Sequence, residues 1–264
     1  MHTHTLIPKY FLVCSILIWG FAHPAVPAHA QPSGQELAQL VHDRYVGDNS
    51  VSRQTMELIP AEGQKRVRQL NVSVLEKNGA RSTLLRFTAP ADIQGTGFLA
   101  VEDGQGGTAQ FLYLPALNRT RRIVAGQKSR SFVNTDFTYE DMERRPVDDS
   151  EHTIVGDESL NKVRCWILES RPKTGTNSQY TSIRTWVAQD MLLPLRVDFF
   201  TGGETPVKRY AVLQLENIQN IWTETKVVME DLPSGHKTTL ETTSIQYNTG
   251  VLDSMFTQQA LERW

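Results

Sequence analysis

The amino-acid sequence predicts a mainly β fold of the α+β class, with about ten antiparallel strands in one strongly curved sheet. From residue 52 to residue 248, apolar and polar side chains alternate, and short turns separate the alternating stretches. Such a series indicates an antiparallel meander rather than alternating strands and helices. Because one face of the sheet is apolar and few helical residues are available to cover it, we expect it to curl into a nearly closed barrel with a small helical cover.

The segment SGQELAQLVHDRYVGD predicts an N-terminal helix. Its apolar side chains fall on one face at helical spacing, and Gly47 marks its end. The residues of this face are Leu37, Leu40, Val41 and Tyr45.

The predicted strands follow in chain order. Asn78-Gly79 is typical of a two-residue hairpin turn, and a Gly-rich turn spans residues 104–107. The alternating stretches are SRQTMELIP, QKRVRQLNVSVLEKN, ARSTLLRFTAP, GFLAVEDGQGGTAQFLYLP, HTIVG, KVRCWILESRP, QYTSIRTWVAQ, PLRVDFFTGG, KRYAVLQLEN, WTETKVVMED and KTTLETTSIQYN. The last residues, DSMFTQQALERW, predict a short closing helix or turn.

Residues 1–30 have the pattern of a secretory signal peptide. Lys9 precedes the apolar run YFLVCSILIWGFA, which is short for a membrane span, and Ala28 and Ala30 have the A-x-A spacing of a cleavage site. We therefore expect cleavage near Ala30, a periplasmic location, and a single domain over residues 31–264. The alternative is an uncleaved membrane anchor.

Composition restricts the class of partner. The net charge of the 264-residue chain is −2, and with export this argues against nucleic-acid binding. Only Cys165 would remain after cleavage, so we expect no internal disulfide and a core that is stable by packing. Cys165 alternates with Val163 and Ile167, which favours a buried structural thiol.

The stretch SFVNTDFTYEDMERRP, residues 131–146, predicts a short capped helix over residues 139–145. Thr138 would be the N-cap, with Asp141 completing a variant capping box. Phe137 and Met142 are placed for a hydrophobic staple, Tyr139 starts the helix, and the acids and arginines suit the helix dipole.

The alternative for this stretch is a catalytic acid cluster built on Asp136, Glu140 and Asp141. No nucleophile elbow, zinc-protease motif or phosphate loop accompanies these acids. The histidines after residue 30 are scattered and lack metal-ligand spacing. The sequence therefore predicts no metal, no cofactor and no enzymatic activity.

Four segments carry a resemblance to a known family: GTGFLAVEDG, FLYLPALNRTRRI, SFVNTDFTYEDM and FTQQALER. They are similar to the exported outer-membrane lipoprotein-sorting family, in its LolA-like branch associated with permeases of the resistance–nodulation–division type. The resemblance runs from about Arg53 to Arg263. Val133-Asn134-Thr135 stands where a Met-Gly-Ser-like step is expected, so the local turn is expected to differ.

The resemblance implies an unclosed β-barrel, covered by helices, that holds acyl chains of a lipoprotein or a free lipid in transit through the periplasm. It further implies an inner-membrane permease and an outer-membrane acceptor as partners, and we expect a monomer. Large apolar strand residues are the candidate cavity wall, although alternation leaves open which face is concave and each could equally be ordinary core. They are Phe87, Phe98, Phe111, Tyr113, Trp166, Trp186, Phe199 and Met229.

The stretch NRTRRIVAGQKSR concentrates positive charge without an acid. It is either a solvated hairpin or a docking surface for anionic headgroups or an acidic partner. Arg121 and Arg122 are its candidate docking residues, and Arg122 is also a candidate inward-facing partner for Asp136 or Asp141.

The sequence thus predicts a non-catalytic periplasmic carrier of acyl chains. Two alternatives remain open: an exported hydrolase using Asp136 and Asp141, and an accessory subunit that braces a membrane permease.

Overall fold

The structure, a computed structural model, describes residues 31–263, so the predicted leader and its cleavage site lie outside the described residues. The described chain contains one antiparallel sheet of thirteen strands. The strands are β1 (Asn49–Ile59), β2 (Arg66–Lys77), β3 (Ala80–Ala89), β4 (Gly97–Glu102), β5 (Thr108–Leu114), β6 (Arg119–Ile123), β7 (Ser150–Leu160), β8 (Val163–Pro172), β9 (Ser182–Ala188), β10 (Leu193–Phe200), β11 (Lys208–Ile218), β12 (Ile221–Asp231) and β13 (Lys237–Tyr247).

The strand order is β6-β5-β4-β3-β2-β1-β13-β12-β11-β10-β9-β8-β7. Strand β1 pairs with both β2 and β13, which joins the two ends of the described chain in the middle of the sheet. Strands β6 and β7 are the edges, so the curved sheet is an unclosed barrel. The predicted fold class is confirmed, with thirteen strands instead of about ten.

Strand β6 is the element that the alternation missed. Its sequence, RTRRI, has one apolar residue in five positions, so the signal of a half-buried strand is nearly absent. The predicted hairpin at Asn78-Gly79 is present: both residues have positive φ, and Lys77 pairs with Ala80 across the turn.

Helix α1 spans Gly34–His42 and begins with a capping box between Ser33 and Glu36. It ends earlier than the apolar pattern predicts, and Leu40 and Tyr45 are exposed rather than packed. Leu37 and Ala38 form the buried side of α1, which packs on β7 and β8.

The largest hydrophobic cluster lies on one face of the sheet, which we call the inner face. It includes Met56, Leu70, Phe87 and Phe98 from one half of the sheet and Phe199 from the other. The same cluster contains three side chains from the connection between β6 and β7, namely Phe132, Phe137 and Tyr139. We call residues 131–146 of this connection the covering segment, because they pack against inner-face side chains of both halves of the sheet.

The opposite, outer face of β3–β5 is covered by the C-terminal residues. Helix α2, Gln258–Leu261, buries Leu261 against Leu84, Leu99 and Tyr113. The Leu261 side chain lies so close to the backbone of β4 that a Cβ atom added to Gly97 would lie 2.6 Å from Cδ1 of Leu261. The predicted closing helix is therefore present, as one short turn.

Candidate functional site

A cavity of about 470 Å³ opens on the inner face of the sheet, between strands β8–β12, helix α1 and the covering segment. Its apolar wall combines side chains from all three: Val41, Phe137, Leu168, Ile183, Phe199 and Met229. A volume of this size lies within the range of roughly 300–1,000 Å³ that is usual for small-molecule pockets.

Charged side chains also line this cavity. Four are arginines and two are acids: Arg44, Arg81, Arg144, Arg145, Asp141 and Glu224. Glu224 reaches the inner face because the β11–β12 register shifts at Gln214, which leaves Thr225 without a pairing partner. The cavity is therefore amphipathic, with an apolar wall and charged groups around it.

The eight predicted wall residues do not all line the cavity. Phe199 and Met229 do. Phe87 and Phe98 lie on the inner face but are fully buried beneath Phe132, whose ring is 6.4 Å and 5.0 Å from theirs. They are packed beneath the covering segment and do not line the open cavity.

Three of the eight lie on the outer face, contrary to the expectation. Phe111 and Tyr113 alternate with the inward Gln110 and Leu112, so they point to the C-terminal cover. Trp186 packs with Cys165 on the outer face of β8–β10, and Arg196 lies 4.1 Å over its ring. The expectation failed because both faces of this sheet carry covered apolar patches, and alternation does not distinguish them.

Trp166 lies on the inner face, where its strand position pairs with Val187. Both belong to the cluster that Leu37 of α1 covers. Trp166 is thus close to α1 but does not line the cavity, whereas Leu168 on the same strand does.

The covering segment contains the predicted capping contacts but not the predicted helix. The backbone N–H and the hydroxyl of Thr138 both donate to Oδ2 of Asp141, at 2.8 and 2.9 Å, and the N–H of Asp141 donates back to Thr138 Oγ1 at 3.4 Å. The helix that follows is a single 3-10 turn, Glu140–Met142, instead of residues 139–145.

The helix stops early because the next residues bind the sheet. Glu143 has extended backbone angles (φ −102°, ψ 144°). Arg144 donates to Glu102 at 3.1 Å and to the carbonyl of Gly79 at 2.8 Å, and these partners lie outside the covering segment. Met142 still packs against the same cluster as Phe137, as the staple predicts.

Asp141 forms a buried ion pair with the sheet. Lys208 Nζ donates to its Oδ2 at 2.7 Å, the Tyr180 hydroxyl donates to its Oδ1 at 2.8 Å, and Arg145 Nη2 lies 3.5 Å from Oδ1. Burial by itself raises the pKa of Asp141, but Lys208 and Arg145 outweigh it, and the pKa lies below its ordinary value. Asp141 is therefore an ionised carboxylate that fixes the covering segment to β11.

Asp136 makes a second polar contact with the sheet. Its carboxylate lies 2.7 Å from Nδ1 of His236 and accepts a hydrogen bond of 2.6 Å from the Thr238 hydroxyl. Its backbone N–H donates to Thr238 Oγ1 at 3.0 Å. The Asp136 and Asp141 side chains thus bind different strands, β13 and β11.

Comparison with known proteins gives the family. A family model whose description is "uncharacterized protein" matches residues 79–263. The chain belongs to that family. No curated protein matches it.

Solved structures share this LolA-like fold. A DUF1329 family protein from Desulfovibrio piger is 29% identical, with a TM-score of 0.81 over 86% of this chain and 97% of its own. A domain from Vibrio parahaemolyticus, named for outer-membrane lipoprotein sorting, is 29% identical with a TM-score of 0.82, over 87% and 98%. A LolA superfamily protein from Nitrosomonas europaea, 17% identical, has a TM-score of 0.68 over 87% and 100%, which shows the fold alone. The predicted LolA-like resemblance is confirmed.

A further contact in the LolA-like barrel was missed by sequence reasoning. Arg68 on β2 is buried, and its Nη1 donates to the carbonyl of Val133 at 2.7 Å. Val133 and Asn134 both have positive φ (49° and 61°), an uncommon conformation for a β-branched residue. The signal was available, because Arg68 shares its strand face with the apolar Leu70.

Lys208 and Tyr180 were also missed. Lys208 is opposite Phe199 in the β10–β11 pair and so lies on the inner face. Alternation could have identified it as a cation at an apolar position, whereas Tyr180 lies in a loop and gives no such signal.

The predicted docking arginines are on the edge strand of the LolA-like sheet. Arg122 is opposite Phe111 and Arg121 is opposite Leu112, and both are exposed. Arg122 makes no ion pair with Asp136 or Asp141, whose described partners are His236 and Lys208. The expectation of an inward Arg122 was wrong because β6 places this side chain on the outer face.

Within residues 31–263, no group of three or more His, Cys, Asp or Glu side chains is arranged to hold a metal ion. In the same range, no helix has the length and apolar character needed to cross a bilayer.

Proposed function

We propose that this protein carries acyl chains, of a lipoprotein or a free lipid, through the periplasm between the inner and outer membranes. The observation that carries the proposal is the cavity of about 470 Å³ between the inner face, α1 and the covering segment of a LolA-like fold. The similarity to a Vibrio parahaemolyticus domain named for lipoprotein sorting supports it.

The energetics favour such a cavity. Exposing a ~16-carbon chain to water costs on the order of 12 kcal/mol, at ~0.8 kcal/mol per CH₂. Apolar side chains such as Ile183, Phe199 and Met229 replace much of that lost solvation. The carrier needs no catalytic group, and we propose that it is not an enzyme.

Release requires that the cavity can open. The covering segment is fixed to the sheet by polar contacts that include Asp141–Lys208, Arg68–Val133 and Gln110–Tyr139. Because these contacts involve separate strands, we propose that the segment and α1 move away from the inner face when cargo enters or leaves. An inner-membrane permease and an outer-membrane acceptor would be the partners of a monomeric carrier, and Arg121 and Arg122 would be exposed to them.

The test is acyl binding by the purified, delipidated protein. A fluorescent fatty-acyl probe should bind at micromolar concentration and be displaced by a long-chain lipid. Val197→Trp, which fills part of the cavity, should weaken binding at least several-fold, whereas Leu213→Trp at an exposed position should not. Absence of binding by any apolar probe would refute the carrier.

Native mass spectrometry of protein from its own periplasm distinguishes the carrier from the alternative brace. A co-purifying lipid or lipoprotein supports the carrier. An empty protein in complex with a permease supports an accessory subunit.

A hydrolase remains the second candidate because Asp136 and His236 form a close carboxylate–imidazole pair, 2.7 Å apart. The assay is turnover of ester and amide substrates by the wild type and Asp136→Asn. Turnover lost in Asp136→Asn, with unchanged stability and probe binding, would favour the hydrolase.

A further inference from the structure

The cavity holds more positive charge than its own acids neutralise. Two of its four arginines already have acid partners on the sheet: Arg81 binds Glu76, and Arg144 donates to Glu102 at 3.1 Å. Arg145 lies 3.5 Å from Asp141, which Lys208 already binds at 2.7 Å. The remaining arginine is Arg44.

Arg44 lies in the connection between α1 and β1 and lines the cavity. Its one described hydrogen bond is long, from Nη1 to the carbonyl of Trp222 at 3.4 Å. A guanidinium carries five N–H donors, so most of its capacity to donate is unused by the protein. Burial lowers the pKa of Arg44.

The nearest acid does not satisfy this group. Glu224 attracts Arg44 through space, but no carboxylate among the described residues forms a salt bridge with it. Burial raises the pKa of Glu224, and the Tyr210 hydroxyl and Arg44 offset this only in part. Arg44 is thus a half-buried cation with one long hydrogen bond and no salt bridge to a carboxylate among the described residues.

The position of Arg44 suits one end of an elongated ligand. Glu224 and Met229 both line the cavity and lie five residues apart on β12, which corresponds to about 16 Å along the strand. Apolar side chains occupy the Met229 end, where Phe199 and Ile183 also lie. The cations near Phe199, Lys208 and Arg145, already share Asp141 as their partner. The cation without a salt bridge therefore lies at the Arg44 end, and this arrangement matches an amphiphile with an anionic head.

We propose that Arg44 binds the anionic head, a carboxylate or a phosphate, of the acyl cargo, while the acyl chain lies along the inner face toward Met229. This inference rests on the proposed carrier function and specifies its ligand class. Charge-assisted hydrogen bonds from a guanidinium to an oxyanion are short and directional, so they would select acids over neutral lipids of equal length.

The experiment compares an acid with its own ester. Dansyl undecanoic acid and its methyl ester are titrated into the delipidated protein at neutral pH. The wild type should bind the acid about tenfold or more tightly than the ester, the effect expected for one charged hydrogen-bonding partner. Arg44→Gln should lose this preference and keep ester binding, and Arg44→Lys should be intermediate.

Arg53→Gln is the matched control, because Arg53 is an exposed arginine on β1 away from the cavity lining. It should retain the wild-type preference for the acid. Circular dichroism melting of each variant separates loss of binding from loss of folding. Glu224→Gln should keep acid binding, since Glu224 forms no salt bridge with Arg44.

Displacement by hexadecanoic acid or by hexadecyl phosphate then identifies the head as a carboxylate or a phosphate, and either result supports Arg44 as its ligand. Equal binding of acid and ester by the wild type would overturn the inference while leaving the carrier intact. An undiminished acid preference in folded Arg44→Gln would do the same. If neither acid nor ester binds, the carrier function itself is refuted and the inference with it.

Discussion

The side-chain nitrogen of Lys208 lies 2.7 Å from Oδ2 of Asp141, and both side chains are almost fully buried. This pair joins strand β11 to the covering segment inside the barrel. Tyr180 bonds to both partners, at 2.8 Å each, so the pair belongs to a closed polar network. The network fixes the covering segment where it adjoins the cavity.

Removing the charge of Asp141 should destabilise the protein strongly. Asp141→Asn leaves Lys208 as a buried cation without a counter-ion, which should cost about 3 kcal/mol of unfolding free energy. Urea denaturation measures the difference. Glu57→Gln is the control, since its partner Lys65 is half exposed, and it should cost less than about 1 kcal/mol. A cost for Asp141→Asn no larger than the control would mean that the pair contributes no stability.

The stability contributed by Asp141 should depend on pH in the acid range. Its pKa is lower in the folded state than the ordinary value of 3.8, so its stabilisation is fully present above that value and is lost as pH falls through the folded pKa. The stability gap between wild type and Asp141→Asn should therefore stay constant from pH 7 to about pH 5 and shrink only in more acidic solution. Denaturation curves at several pH values test this, and a gap that closes near neutral pH would contradict it.

Arg68 should control the mobility of the covering segment. Arg68→Met removes the hydrogen bond to the Val133 carbonyl, a charged contact worth roughly 1.5–3 kcal/mol, and releases a turn with two left-handed residues. Amide hydrogen exchange should speed up at residues 131–138 and change little in β12. Arg66→Met, on the same strand but exposed, should leave exchange unaltered. Equal protection in both variants would show that Arg68 does not hold the segment.

Gly97 should be intolerant of a side chain because of Leu261. The added Cβ of Gly97→Ala would lie 2.6 Å from Cδ1 of Leu261, and relieving that overlap should cost about 1–3 kcal/mol. Gly126→Ala, which meets nothing within 4 Å, is the control and should be nearly neutral. The double variant Gly97→Ala with Leu261→Ala should be more stable than the sum of the single changes predicts. Strict additivity would place the two residues out of contact.

Local pattern was enough to predict the class of fold and most strands. Alternation identifies a strand from its own residues, so the stretches that became β1–β5 and β7–β13 were visible in the sequence. It failed at β6, whose arginines follow no alternation. It could not decide which face is inner, because that depends on what packs on each side, and Tyr113 and Phe199 have the same strand signal on opposite faces.

The covering segment shows the same limit. The reciprocal contacts between Thr138 and Asp141 are local and were predictable from their spacing. The length of the helix was not predictable, because it depends on the hydrogen bond from Arg144 to Glu102, and these residues are 42 positions apart in the chain. The partner of Asp141 could not be predicted either, because Lys208 is 67 positions away in the chain.

The two free edges of the sheet have different protection against self-association. At β7, helix α1 packs so closely that a Cβ on Gly34 would lie 2.3 Å from the carbonyl oxygen of His152, so another chain has little access to this part of the edge. At β6, Arg119, Arg121 and Arg122 are exposed, and two such edges would repel each other. An opened barrel with unguarded edges would be prone to edge-to-edge aggregation. The arginines of β6 oppose such pairing, and replacing them by threonine should favour fibrils at high concentration.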